Sequence, residues 1–207
     1  MIITEIRQLR PKSRQRVVKL EDGTSFVLYS GEIRRLSFLQ EGEDLPEEAR
    51  EEIYSKVLLP RVKKRCLHLL EKQDYTRASL IRKLTTGGYP LELAEAAVEY
   101  AASFHYIDDL RYARNYIHFH QEKKSPRRLR MDLRGKGVAE DLIQEAMEEE
   151  LTVDETAQIR ALIEKKHYDI ASKDPKINGK IYRFLQSRGY SYSLISEVLG
   201  SLREDTY

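Results

Sequence analysis

An internal repeat constrains the fold of this 207-residue chain more than any other feature of its sequence. Three segments align without a gap, and they begin at Leu80, Leu129 and Ile181. In each, a leucine is followed four residues later by a glycine and then by tyrosine or valine; the pairs are Leu84 with Gly88, Leu133 with Gly137, and Leu185 with Gly189. Tandem repeats of this kind are typical of helical solenoids, in which each unit buries its apolar face against a neighbour.

Each segment predicts a short helix, a glycine stop and a second helix. The leucine and its partner four residues earlier share one helix face, and glycine adopts the left-handed conformation that ends a helix. A further helical stretch precedes each pair, over 61–72, 110–120 and 156–166. In the first repeat, Pro60 predicts a break before the helix at 61–72. We therefore expect a mainly α protein with three-helix repeats over 45–106, 107–152 and 153–207. The first of these ranges also includes a lead-in helix before Pro60.

The first 40 residues have a different pattern. Two β-branched and aromatic runs, 17–20 and 26–29, flank Asp22-Gly23, which predicts a hairpin with a type I′ turn. Residues 2–9 fit an edge strand that Pro11 closes. Apolar and polar residues alternate here with a period of two, which differs from the helical period of the repeats. We therefore expect residues 1–40 to form a small β-hairpin extension that is separable from them.

Charge is balanced over the whole chain but not along it. Lys and Arg number 36 against 34 Asp and Glu, so the formal net charge is only +2. Between residues 123 and 136, however, seven basic residues stand against the single acid Asp132, and they are Lys123, Lys124, Arg127, Arg128, Arg130, Arg134 and Lys136. A second basic group in the first repeat includes Arg77, Arg82 and Lys83.

The basic segment predicts a ridge on a packed helix. Helical geometry places Arg127, Arg130 and Arg134 on one face, with Leu129 and Leu133 facing the core. Such a ridge fits nucleic-acid phosphates or an acidic protein surface, and the plainer alternative is a solvated face. The nearby Tyr112 and Tyr116 are interpreted as edges of the core in preference to base-stacking platforms.

The sequence carries no enzyme signature. It lacks the phosphate loop GxxxxGK[ST], the motif GxGxxG, the nucleophile elbow GxSxG and the zinc motif HExxH. Asp108 and Asp109 are interpreted as a helix start, and a divalent-cation site is the weaker alternative. A single cysteine, Cys66, fits a reducing compartment. We expect no catalytic site, no metal and no cofactor, and a cytoplasmic protein without a signal segment or membrane span.

The middle repeat resembles the signature of the RecX family, the regulators of the RecA recombinase. The resemblance rests on residues 106–109, 112–117 and 125–138, and on the first-repeat stretch 74–89. It covers roughly residues 60 to 200. Two positions depart from the family pattern: His105 stands where glycine is usual, and Ser125 where glycine commonly precedes the basic helix.

The resemblance implies an elongated, curved, all-helical modulator that lies in the groove of the RecA filament on single-stranded DNA and inhibits its activities. We therefore expect a monomeric, non-enzymatic inhibitor with the RecA filament as partner and single-stranded DNA as a second ligand. One alternative is a nucleic-acid-binding protein that acts without RecA. Another, less favoured, is a metal-dependent nuclease that uses Asp108 and Asp109.

Overall fold

The structure, a computed structural model, describes residues 1–36, 38–170, 172 and 174–204. It is mainly helical, with one small antiparallel sheet at the N-terminus, as predicted. The chain divides into two compact units, residues 1–108 and 109–207, and each is described by itself. The predicted end of the third repeat, residues 205–207, lies outside the described residues.

Three strands form the N-terminal sheet in the order β1-β2-β3. Their bounds are β1 Ile3–Gln8, β2 Gln15–Leu20 and β3 Ser25–Tyr29, and the short helix α1 spans Ser30–Arg35. Strand β1 is the predicted edge strand, and Arg7 lies opposite Val17 in its pairing with β2. The predicted hairpin between β2 and β3 is also present, with Val18 opposite Phe26.

The turn of that hairpin is not type I′, so this part of the prediction is wrong. Of the two central residues only Gly23 has a positive φ, at 85°. The Asp22 carboxylate accepts hydrogen bonds from the backbone N–H and the hydroxyl of Thr24, both at 2.8 Å. This local bonding stabilises an aspartate turn that requires only one left-handed residue.

Among its described residues, the first unit also contains four further α-helices and one π-helical segment. In chain order they are α2 Glu47–Glu52, the π-helical segment Ile53–Leu58, α3 Leu59–Leu70, α4 Arg77–Thr86 and α5 Leu91–Ser103. The chain stays helical through Pro60, so the predicted break is wrong. The Leu59 N–H donates to the Tyr54 carbonyl five residues earlier, and this wider turn makes room for a proline ring that would clash in a regular helix.

The sheet and these helices share one hydrophobic core. Val18 and Phe26 belong to the same buried cluster as Leu58 and residues up to Ala101. A Cβ on Gly88 would lie 2.6 Å from Val27 Cγ2, so the turn after α4 packs directly on β3. The Arg61 guanidinium donates to the Val27 carbonyl at 3.1 Å. The expected separable extension is therefore an integral part of the first unit.

The described part of the second unit contains six helices and two apolar clusters. The helices are α6 Asp109–His120, α7 Pro126–Gly135, α8 Glu140–Glu150, α9 Glu155–Lys165, α10 Pro175–Gln186 and α11 Tyr192–Glu204. Buried residues of α6, α7 and α8 form one cluster, and those of α9, α10 and α11 form the other. The helices predicted at 110–120 and 156–166 correspond to α6 and α9, whose ends differ from the prediction by at most one residue.

The repeated glycines end helices as predicted. Gly88, Gly137 and Gly189 have φ values of 91°, 82° and 94°. The backbone N–H of the residue after each glycine donates to the carbonyl of the repeated leucine. The bond from Val138 to the Leu133 carbonyl, for example, is 3.1 Å long. This pattern is a Schellman motif, whose apolar contact pairs the residue after the glycine with that leucine. The motif explains why leucine, glycine and tyrosine or valine recur at fixed spacing.

The loop after α5 keeps the same geometry without a glycine. His105 has a φ of 59°, and the next N–H, from Tyr106, donates to the Ala101 carbonyl at 3.2 Å. The replacement of glycine by His105 thus leaves the turn conformation unchanged. None of the described helices combines the length and apolar character that crossing a bilayer requires.

Candidate functional site

Helix α7 presents the basic ridge, which we define as Arg127, Arg130 and Arg134. Its first turn is fixed by Ser125, whose buried hydroxyl accepts the Arg128 N–H at 3.2 Å. Leu129 and Leu133 are completely buried on the opposite side. Arg127 and Arg134 are exposed and Arg130 is half-buried. The ridge therefore faces solvent on a helix whose position is set by the core.

Two carboxylates hold four of the seven basic side chains. Glu140 of α8 pairs with Arg134 at 2.7 Å and with Arg130 at 3.2 Å. Asp132 pairs with Lys124 at 2.7 Å and with Arg128 at 3.0 Å. In the part of the chain that the structure describes, Arg127 and Lys123 form no ion pair. The surface is therefore cationic but partly compensated, with Arg127 as its most available charge.

Asp132 is also bonded to an aromatic side chain. The Tyr116 hydroxyl donates to it at 2.9 Å, and Lys124 Nζ donates to both groups. Burial tends to raise the pKa of the Asp132 carboxyl, but the hydrogen bonds from Lys124 and Tyr116 outweigh it and lower the pKa below its ordinary value. Burial likewise opposes the charge of Lys124, yet the same bonds raise the pKa of that ammonium. Both groups are therefore charged at neutral pH.

A column of rings runs along α6 on the side of α7 that carries Asp132. Tyr112 and Tyr116 are stacked at 6.4 Å between ring centroids, and the His120 ring lies 4.2 Å from Tyr116. Lys136 Nζ lies 5.3 Å from the Tyr116 centroid. Both tyrosines pack against the buried cluster, which confirms their interpretation as edges of the core. Sequence reasoning missed His120, although its spacing of four from Tyr116 was the available signal.

The other predicted basic residues lie in the first unit. Arg77 at the start of α4 pairs with Glu99 of α5. Arg82 and Lys83 are exposed, and Lys83 Nζ lies 5.6 Å from the centroid of the Tyr75 ring. These three side chains share one helix but belong to a different compact unit from the ridge.

Asp108 and Asp109 stand where the boundary between the units falls. Asp109 is the first residue of α6, where a carboxylate favours the positive end of the helix dipole. Within the described residues, no three His, Cys, Asp or Glu side chains are grouped so as to hold a metal ion.

Three family models match the chain. They are the first, second and third three-helix domains of RecX, and they match residues 63–100, 108–147 and 154–199 respectively. The first of these ranges begins after the sheet, and the second contains the ridge.

Several curated relatives carry the name regulatory protein RecX. The protein from Vibrio campbellii is 38% identical over 156 residues, which is 74% of this chain and all of that protein. The one from Vibrio parahaemolyticus is 39% identical over 144 residues, covering 69% of this chain and 92% of that one.

Solved structures share the fold. A crystal structure of a regulatory protein RecX has a TM-score of 0.57 at 22% identity and covers 95% of this chain and 98% of its own. A structure of RecX from Lactobacillus salivarius has a TM-score of 0.55 at 22% identity. The match covers 70% of this chain and 96% of that one.

Proposed function

Because the chain belongs to the RecX family of regulatory proteins, we propose that it regulates the RecA recombinase by binding the RecA filament on single-stranded DNA. In this proposal it acts as a monomeric cytoplasmic inhibitor without catalytic activity, and it modulates recombination, DNA repair and the SOS response. The basic ridge of α7 is the contact surface, and Arg77, Arg82 and Lys83 of α4 add a second contact.

The observation that supports this proposal most is the construction of α7. Its arginines project from a helix whose register is set by two fully buried leucines and a buried serine cap. A cationic surface that is already ordered loses little conformational entropy when it binds a polyanion or an acidic protein face. This is the property that a groove-binding protein requires.

The test replaces the ridge with neutral side chains. The variant R127Q/R130Q/R134Q removes three solvent-facing charges and leaves the core intact, so its melting temperature should change little. We expect it to require at least tenfold more protein to inhibit RecA strand exchange at low salt. Unchanged inhibition by the folded variant would contradict the proposal and leave the ridge as a solvated face.

Bare single-stranded DNA separates the two possible targets of the ridge. If the ridge contacts phosphates directly, the salt slope of binding to bare DNA should flatten by about 0.7 for each lost contact. If it contacts RecA, the slope should change only with filaments. A loss on bare DNA without any effect on RecA would favour the alternative, a nucleic-acid-binding protein that acts without RecA.

A charge change of the opposite sign provides an internal control. Glu140→Gln releases Arg130 and Arg134 from their ion pairs, so affinity for filaments should rise severalfold. Glu164→Gln on α9 makes the same change in net charge at an exposed site away from α7. It should have a much smaller effect. Equal effects of the two variants would indicate that only net charge matters.

A further inference from the structure

The hairpin of β1 and β2 carries a concentration of positive charge that rivals that of α7. Residues 7–19 contain six basic side chains and no acid. Over 123–136, by contrast, seven basic residues accompany Asp132. The matched family models begin only at residue 63, so they do not include this hairpin.

The charge is concentrated at the turn between the two strands. Arg10, Lys12 and Arg14, which we call the hairpin tip, are all exposed. Among the described residues, none of these three forms an ion pair. On the adjoining strand β1, Arg7 pairs with Glu5 at 3.3 Å, so the charge next to the tip is partly compensated. The tip is therefore less compensated than the basic surface of α7.

Backbone bonds hold the tip in a defined shape. The Ser13 N–H donates to the Arg10 carbonyl at 3.0 Å, and the Leu9 N–H closes the hairpin on the Gln15 carbonyl at 3.1 Å. Both the N–H and the hydroxyl of Ser30 donate to the Arg14 carbonyl, at 2.8 and 3.0 Å. None of these bonds uses a basic side chain, so all three charged groups are left to reach a ligand.

The tip is supported by the core of the first unit. Ile3, Val18 and Leu20 of the two strands are buried in the cluster that the helices share. Arg34 of α1 is exposed and donates to the Ser30 carbonyl at 3.3 Å, which adds a fourth cation beside the Arg14 backbone. A rigid cluster of arginine and lysine with no aromatic residue in the turn suits charged oxygens better than bases.

We propose that the hairpin tip is a further binding surface, separate from those of α7 and α4, which contacts the phosphate backbone of nucleic acid without reading its sequence. Arginine and lysine at such a site neutralise phosphates and release counterions, so the affinity should depend steeply on salt. The surface lies in the first unit, and its binding requires no RecA. Its success or failure is therefore independent of the function proposed above.

The test uses the full chain and two fluorescent probes, a 30-nucleotide oligo(dT) and a 30-base-pair duplex. The variant R10Q/K12N/R14Q removes the three tip charges; asparagine is chosen at position 12 because Lys12 has a φ of 62° and asparagine tolerates that conformation. The control K165Q/K176Q/K180Q removes the same net charge from three exposed lysines of the third repeat.

We expect the tip variant to bind at least tenfold more weakly in 50 mM salt, with a salt slope smaller by about 2 for the single strand. The control should change affinity less than twofold. Loss with both probes indicates phosphate contact without strand preference, and loss with one identifies the preferred nucleic acid. Equal behaviour of the tip and control variants would overturn the proposal. Competition by poly-L-glutamate at the same charge concentration as DNA would also overturn it, in favour of an acidic protein.

Discussion

At the scale of single residues, the turn glycines connect the repeats to their surroundings. Gly88 packs on Val27 of the sheet, and Gly189 packs on the start of α7. A Cβ on Gly189 would lie 2.4 Å from Ser125 Oγ and 2.7 Å from Arg128 Cβ. The same glycine therefore ends α10 and leaves room for the capped end of the basic helix.

Gly189→Ala should destabilise the protein by about 2 to 4 kcal/mol, because the new methyl group combines a left-handed φ with a close contact to the α7 backbone. Gly179→Ala is the matched control, because Gly179 lies inside α10 and a Cβ added there would meet nothing within 4 Å outside its own helix backbone. That change should stabilise by about 0.5 to 1 kcal/mol through helix propensity. Urea denaturation of both variants checks the prediction, and equal stabilities would contradict it.

Single residues also show what the sequence was able to predict. The leucine-to-glycine spacing predicted the left-handed positions because a Schellman motif is local in sequence. The pairing of Arg130 and Arg134 with Glu140 was not predicted. It depends on how α8 approaches α7, and a count of charges along the chain contains no information on that approach.

At the scale of elements, a buried polar network joins the second and third repeats. The side-chain amide of Gln158 on α9 donates to the Gln121 carbonyl after α6, and its oxygen accepts from the Tyr190 hydroxyl at 2.8 Å. Gln121 in turn accepts the Thr152 N–H at 3.0 Å. Burial raises the pKa of Tyr190 to about 12, so its hydroxyl stays protonated and donates at physiological pH. The network orients the two repeats within the second unit.

Gln158→Leu should cost about 1 to 3 kcal/mol, because it leaves the buried Tyr190 hydroxyl and the Gln121 carbonyl without their partner. Tyr190→Phe removes the other half of one bond. In the double variant the loss should be smaller than the sum of the two single losses, and chemical denaturation of all four proteins measures this coupling. Strictly additive losses would contradict the hydrogen bond.

Elements were easier to predict than their junctions. Periodicity and glycine stops indicated the helices of the repeats, whereas Pro60 indicated a break that the structure replaces with a π-helical turn. The proline signal was correct in requiring a departure from regular α-helix. It did not distinguish a wider turn from a chain break, because either one avoids the clash of the proline ring and the missing N–H hydrogen bond.

At the scale of the whole molecule, the sheet belongs to the first of two compact units. The strand pattern predicted the sheet itself, since alternation is local. It did not reveal that Phe26 and Leu28, both fully buried, share a core with helices 30 or more residues later in the chain.

Deletion of residues 1–40 should therefore abolish the cooperative unfolding of the first unit, because it exposes the apolar faces of the helices that the sheet covers. Residues 109–207, which contain two clusters of their own, should keep a cooperative transition as an isolated fragment. Thermal melts by circular dichroism test both shortened proteins. An unaltered transition after the deletion would restore the interpretation of the hairpin as a separable extension.

The central claim is that this protein acts on the RecA filament through α7. Its most direct test is co-sedimentation of the purified protein with RecA filaments assembled on single-stranded DNA, compared with RecA-free DNA and with the R127Q/R130Q/R134Q variant. We predict that the wild-type protein pellets with filaments at concentrations where bare DNA retains much less of it, and that the variant remains largely in the supernatant. Equal sedimentation of wild type and variant, or retention by bare DNA alone, would contradict the account.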